Sequence, residues 1–272
     1  MPRWTGASNL TSTTVGVENA GARQSSLWAK KQMYESGVKR MSQLAKTRSA
    51  TGLAMAFVLF VAGAALTGSR NAAADVLADQ EEQDKAELGL RIAPVPLNMS
   101  GKSRELVGLG SYIVNAVADC NGCHAASPQE TYVFGGVPYF GQRPTVINPA
   151  VYLGGGQDFG TLDPLGRTAH IVSRNLTPDK TGRPEGGRTF EEFRTIMRTG
   201  ADLDHIHPTC TPGATDTSHC VPLPFDGSVL QVMPWPTFQN MTDRELRAIY
   251  EYLSAVPCVA GPPTGILHND CR

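Results

Sequence analysis

A mainly α fold with long Gly/Pro-rich loops is what this sequence predicts, and three observations predict it. Thr189-x-x-Glu192 and Thr242-x-x-Glu245 carry the capping-box pattern just ahead of apolar residues at helical spacing. A third segment, 103–119, repeats its apolar residues with the same period. The 28 glycines and 19 prolines concentrate after residue 130, so the helices must be joined by long irregular stretches.

In chain order, residues 1–40 are rich in Ser, Thr and Gly and have no hydrophobic period. Residues 50–67, ATGLAMAFVLFVAGAALT, form an uncharged apolar run behind Lys46 and Arg48, and Ala72-Ala73-Ala74 offers a small-residue cleavage site before Asp75. The run is near the short limit of roughly 17–25 residues for a bilayer span, so a cleaved signal is expected, with an uncleaved membrane anchor as the competing reading. Initiation at Met41 would give a compact basic leader, with 1–40 an over-extended frame; a mitochondrial transit peptide is the alternative. Residues 1–74 are therefore read as an N-terminal extension and signal, 75–102 as an acidic lead-in without a marked element, and 103–272 as one domain.

Within that domain, Leu106, Leu109 or Gly110, Ile113 and Val117 predict a helix over 103–119. From 125 to 188 the sequence is dominated by turn formers, with short strands expected around 131–134, 145–147 and 169–172. Phe193, Ile196 and Met197 follow the first capping box, and Gly200 should end that helix. Leu246, Ile249, Tyr250 and Leu253 follow the second, with Met241 and Leu246 placed as a hydrophobic staple and Pro257 beyond.

The formal charge of −1 conceals an asymmetry. Residues 1–74 hold nine of the 24 Lys/Arg and two of the 25 Asp/Glu, which leaves 15 basic against 23 acidic residues, formally −8, in the remainder. An acidic body excludes nucleic acid as the expected partner, since phosphates require a basic patch. It suits a protein partner with a positive face.

The six cysteines carry the chemistry. Cys120-Asn121-Gly122-Cys123-His124 is the C-x-x-C-H pattern of covalent haem attachment. Two thiols three positions apart reach the two vinyl groups on one edge of the macrocycle, and the next side chain offers an imidazole to the iron. The blander readings are a redox C-x-x-C or half of a zinc site. Zinc needs a second close ligand pair, whereas Cys210 and Cys220 are ten apart, and no βαβ pattern precedes the motif. Four further cysteines are expected as disulfides in an exported protein, with Cys210–Cys220 and Cys258–Cys271 favoured among three connectivities because each closes a short loop. One motif and no internal repeat imply one haem in one domain.

His124 is then one axial ligand, and Met233, in Gln231-Val232-Met233-Pro234-Trp235-Pro236, is the leading candidate for the other. The two prolines favour extended backbone that aims a thioether at the iron. Its bland reading is core filling. Met197 and Met241 read as packing, while His170, His205, His207, His219 and His268 are rival ligands. Thioether ligation favours ferrous iron and raises the potential, which suits electron transfer.

The CNGCH motif, the VMPWP segment and MTDRELRAIYEYLSAVP together resemble the class I cytochrome c family. They are most similar to the cytochrome domains associated with bacterial alcohol and sugar-acid dehydrogenases. Arg174–Asp179 and Phe193–Gly200 are similar to those domains as well, and the resemblance covers about residues 105–257. It implies a cytochrome c-like helical fold around one covalent haem c, whose first and last helices cross beside the haem. By its pattern Cys120 and Cys123 form the thioethers, His124 is the proximal ligand and Met233 the distal one, with Asn175–Asp179 along the haem. Arg174 and Trp235 are candidate propionate donors on their chemistry.

The implied role is a periplasmic electron carrier, not an enzyme, between a dehydrogenase donor and a cytochrome or oxidase acceptor. Membrane association would run through residues 50–67 if these are uncleaved. Dehydrogenase cytochrome subunits usually carry three haem motifs and a C-terminal membrane segment, whereas this chain has one motif and ends in LHNDCR. The alternatives are a peroxidase-like haem enzyme, with His205 or His207 near an open distal position, and a haem-based sensor or structural subunit.

Overall fold

The structure is a computed structural model that describes residues 56–125, 130–163, 165–262, 265 and 267–272; for 56–73 only the backbone is described. Residues 1–40, the basic leader that would begin at Met41 and the first residues of the 50–67 run lie outside the described residues. The chain divides after Gly68, and the packing below is that of Ser69–Arg272.

The described residues are mainly helical with few short strands. A long helix, α1 (Ala56–Ile92), leads into α2 (Arg104–Tyr112), which begins where Ser103 accepts a hydrogen bond from the Leu106 N–H. One π-helical segment, Ile113–Val117, continues α2 toward the cysteine motif. Its wider turn rotates the following side chains, so Ile113 and Val114 are buried while Val117 is 61% exposed. The apolar face expected through Val117 therefore stops one turn early. The one-turn α3 (Cys120–Cys123) follows directly.

After a loop-rich stretch come α4 (Phe190–Thr199), the one-turn α5 (Trp235–Phe238) and α6 (Asp243–Leu253). Both capping boxes form in full: Thr189 with Glu192, and Thr242 with Glu245. Gly200 ends α4 in the left-handed conformation, at φ 70°, where a glycine meets no Cβ penalty.

The core lies where α2 crosses α6. Val107, Leu109, Ile113 and Val114 meet Leu246, Ile249, Tyr252 and Leu253, with Phe193 and Met197 of α4 alongside. Each fully buried Val or Leu contributes about 1.5–3 kcal/mol relative to exposure. The crossing is close: a Cβ on Gly110 would lie 1.9 Å from the Ala248 carbonyl oxygen.

Residues 75–92, read from the sequence as a lead-in without an element, are instead the C-terminal part of α1 and are packed. Gly89 and Gly108 let α1 and α2 backbones approach, and Ser111 Oγ donates to the Gly89 carbonyl at 2.7 Å. Arg244 of α6 clamps Glu82 of α1 and Glu105 of α2. This packing uses small residues and ion pairs, so no apolar stripe announces it.

The expected strand fragments 131–134 and 145–147 pair with each other through the single bridge Tyr132↔Ile147. The third matches β2 (His170–Val172), whose antiparallel partner β1 (Asp158–Thr161) carries no sequence signal. Both expected disulfides form, Cys210–Cys220 and Cys258–Cys271.

Candidate functional site

The cysteine motif is a tight turn held at both ends. Asp119 enters it at φ 46°, and a Cβ on Gly122 would lie 2.5 Å from the Asp119 carboxylate, which packs against the turn. Asn121 is buried, and its Oδ1 accepts from the Leu153 N–H at 2.9 Å. Two residues on, the Gly155 N–H donates to the His124 carbonyl at 2.8 Å. Gly155 itself, at φ 71°, lies so close to Arg174 and Asn175 that a Cβ would reach within 2.4 Å of the backbone. The Gly154-Gly155-Gly156 run thus wedges His124 against the Arg174–Asp179 segment.

That wedge sets the imidazole. His124 Nδ1 is 2.8 Å from the Arg174 carbonyl oxygen, an acceptor, so Nδ1 carries the proton and Nε2 keeps its lone pair. Burial holds the ring below the ordinary histidine pKa, which keeps it neutral. A neutral, oriented imidazole with a free Nε2 is what a metal ion or haem iron requires.

The two thiols of the motif are free, in contrast to the four bonded cysteines. Burial, reinforced by the charges of Asp119 and Cys123, pushes the Cys120 thiol up to about 12, and burial and Asp119 raise Cys123 as well. A redox C-x-x-C works through a lowered thiol pKa, so this environment opposes that reading.

Cys120, Cys123, His124 and Met233 all line one cavity, with about 1270 Å³ of non-protein space, part of it open to solvent. Its walls are largely apolar, with Phe159, Ile171, Leu176, Phe193, Ile249 and Leu253 among them. Met233 reaches it from a pinned segment. The Leu230 N–H donates to the Gly200 carbonyl at 2.7 Å, and Trp235 Nε1 donates to the Leu230 carbonyl at 3.0 Å. The Trp235 ring lies on Gly200, whose hydrogen leaves room no Cβ would. Extended backbone does not run through both prolines as expected: the chain turns at Pro234, ψ 44°, into α5, where Pro236 occupies an early helical position that needs no N–H donor.

Met197 and Met241 also line the cavity. Of the rival histidines only His207 does; His170, His205, His219 and His268 are exposed. The two candidate propionate donors already have protein acceptors. Arg174 donates to Asp202 at 2.7 Å and to Asp204, and Trp235 to Leu230.

One wall residue escaped the sequence reading. Glu185 sits in the Pro184–Gly187 turn at φ 51°, a left-handed conformation rare outside glycine. Glu185 lines the cavity, and burial raises the pKa of its carboxyl group to about 7, against the opposing pull of Arg174 and Arg188. No spacing pattern marks such a residue in the sequence. Among the described residues no three His, Cys, Asp or Glu side chains are grouped to chelate a metal ion, nor is any helix long and apolar enough to cross a membrane. Comparison of the chain with protein-family models, curated proteins and solved structures finds no match.

Proposed function

We propose that Cys120, Cys123, His124 and Met233 hold one covalent haem c, and that the chain is an exported electron carrier of the c-type cytochrome class. The observation that carries this reading is the convergence of these four residues, from two distant parts of the sequence, on one large and mostly apolar cavity. The donor set fits the group: two free thiols three positions apart, an oriented neutral imidazole, and a thioether from another segment. His124 and Met233 would then be the protein ligands of a haem iron, with Cys120 and Cys123 anchoring the macrocycle.

Bound haem would supply a one-electron iron couple. The chain's own residues do the rest. Arg174 fixes the His124 tautomer through its carbonyl oxygen, and the Gly200–Trp235 contact fixes the approach of Met233. The largely apolar walls would lower the polarity around the ring, which favours the less charged ferrous state. The two disulfides support a periplasmic location, because such bonds persist in oxidising compartments. Under this reading the partners are a dehydrogenase donor and a cytochrome or oxidase acceptor. The acidic balance of the body favours partners with positive docking faces.

The rival reading, a haem enzyme or gas sensor, draws on His207 and Glu185 in the same cavity. Protein matured in an export-competent host separates the two. Denatured protein should keep its pigment through acid–acetone extraction, and the ferric form should show the long-wavelength thioether band. Met233→Ala should abolish that band and lower the potential, while Met197→Ala and Met241→Ala retain it. Pigment lost on extraction would sink the covalent haem. Carbon monoxide binding to the unmodified reduced protein would favour the enzyme or sensor.

A further inference from the structure

His207 lines the cavity, yet its Nδ1 is buried without a hydrogen-bond partner. Native folds seldom leave a buried ring nitrogen in that state, so an orphan on a residue that lines the cavity points to a partner the protein itself does not supply.

The segment that presents this ring is tightly built. Asp202 accepts from the N–H groups of Asp204, at 3.2 Å, and Ile206, at 3.4 Å, and His205 turns the chain at φ 49°. Arg174 locks Asp202 in place from the side that also orients His124. Beyond His207, the Cys210 N–H donates to the Val221 carbonyl at 2.7 Å and the Val221 N–H to the Pro208 carbonyl at 2.9 Å, beside the Cys210–Cys220 bridge. Gly227 presses against the His207 backbone from behind: a Cβ there would lie 2.3 Å from the His207 carbonyl oxygen. Little freedom is left for the imidazole to find another acceptor.

Two other donors at the wall are engaged. Arg174 is shared between two aspartates, and Gln231 Nε2 donates to the Asp226 carbonyl at 2.9 Å. A haem presents its strong acceptors at the rim, as two propionates. We propose that His207 is a cofactor-binding residue whose Nδ1–H donates to a haem propionate. This assignment rests on the haem reading above. It gives the Cys210–Cys220 excursion a purpose, which is to hold that donor against the cavity.

The test compares the purified holoprotein with His207→Phe and His207→Gln. All three should keep the covalent pigment and the thioether band. His207→Phe should shift the propionate bending mode in the resonance Raman spectrum. It should also lower the potential, because an unshielded carboxylate favours ferric iron. His207→Gln, which restores an N–H donor, should move both readouts back toward the unmodified protein. Unchanged mode and potential in His207→Phe would overturn the proposal, as would loss of the thioether band, which would mean that His207 acts by holding the Met233 segment in place. If His207→Phe does not mature, ¹⁵N NMR of the unmodified ferrous protein decides: a slowly exchanging Nδ1 proton supports the proposal and an unprotonated Nδ1 overturns it. A product without covalent pigment would defeat the haem reading rather than this assignment.

Discussion

Glu185 is the residue whose surroundings conflict most with its chemistry. A carboxylic acid ordinarily loses its proton near 4.5, and in this cavity wall it does so near 7. Between those values the folded protein holds a proton that the unfolded chain has lost. The stability present below about 4.5 therefore declines as pH rises toward 7 and stays reduced above it. Glu185→Gln removes the charge that burial penalises. It is expected to match the unmodified protein in denaturant titrations at pH 4 and to exceed it by about 1–3 kcal/mol at pH 8. Equal stability at both values would mean that water or Arg174 and Arg188 already satisfy the ionised group. A residue held at positive φ with a raised pKa beside the cavity fits the pattern of strain kept for function.

At the scale of elements, the α2–α6 crossing is the contact most sensitive to size. Alanine in place of glycine within a helix gains about 1 kcal/mol from propensity alone. At Gly110 the added methyl would lie 1.9 Å from the Ala248 oxygen, 2.5 Å from its carbon and 2.8 Å from the Tyr252 Cβ. Two of these are backbone atoms, so the helices must separate, and overpacking wins. Gly110→Ala is expected to destabilise the protein by about 3 kcal/mol or more, read as a lowered denaturation midpoint. A neutral result would show that the crossing relaxes easily. Asn115 adds a polar tie at the same place. It donates to the Tyr252 hydroxyl and accepts from Tyr152, joining the π-helical segment to α6 and to the Gly-rich loop. Cys120 follows five residues later, so the start of the motif is braced by this network.

For the whole molecule, the C-terminal tail closes the assembly. Asn269 is buried and donates to the carbonyls of Thr177 and Pro178, while Asn175 Nδ2 donates to the Val259 carbonyl. Cys258–Cys271 completes this strap over the turn that follows Arg174, whose carbonyl orients His124. The bridge spans a 13-residue separation, and its loss in a Cys258→Ser/Cys271→Ser variant should lower stability by about 2–3 kcal/mol in guanidinium titration. An unchanged midpoint would show that the Asn269 hydrogen bonds hold the tail without it.

Local signals account for what the sequence determined by itself. Capping boxes, the C-x-x-C-H turn, Gly200 and the short disulfide loops depend on residues a few positions apart, and the chain obeys them regardless of distant neighbours. What the tertiary structure alone decided depends on segments far apart in sequence. It brought Met233 to the cavity of His124 and turned His207 and Glu185 inward. It spent Arg174 and Trp235 on protein acceptors, and it packed α1 on α2 through glycine rather than an apolar stripe. A hydrophobic period reports which face of a helix is buried; it carries no record of which distant group will lie against it.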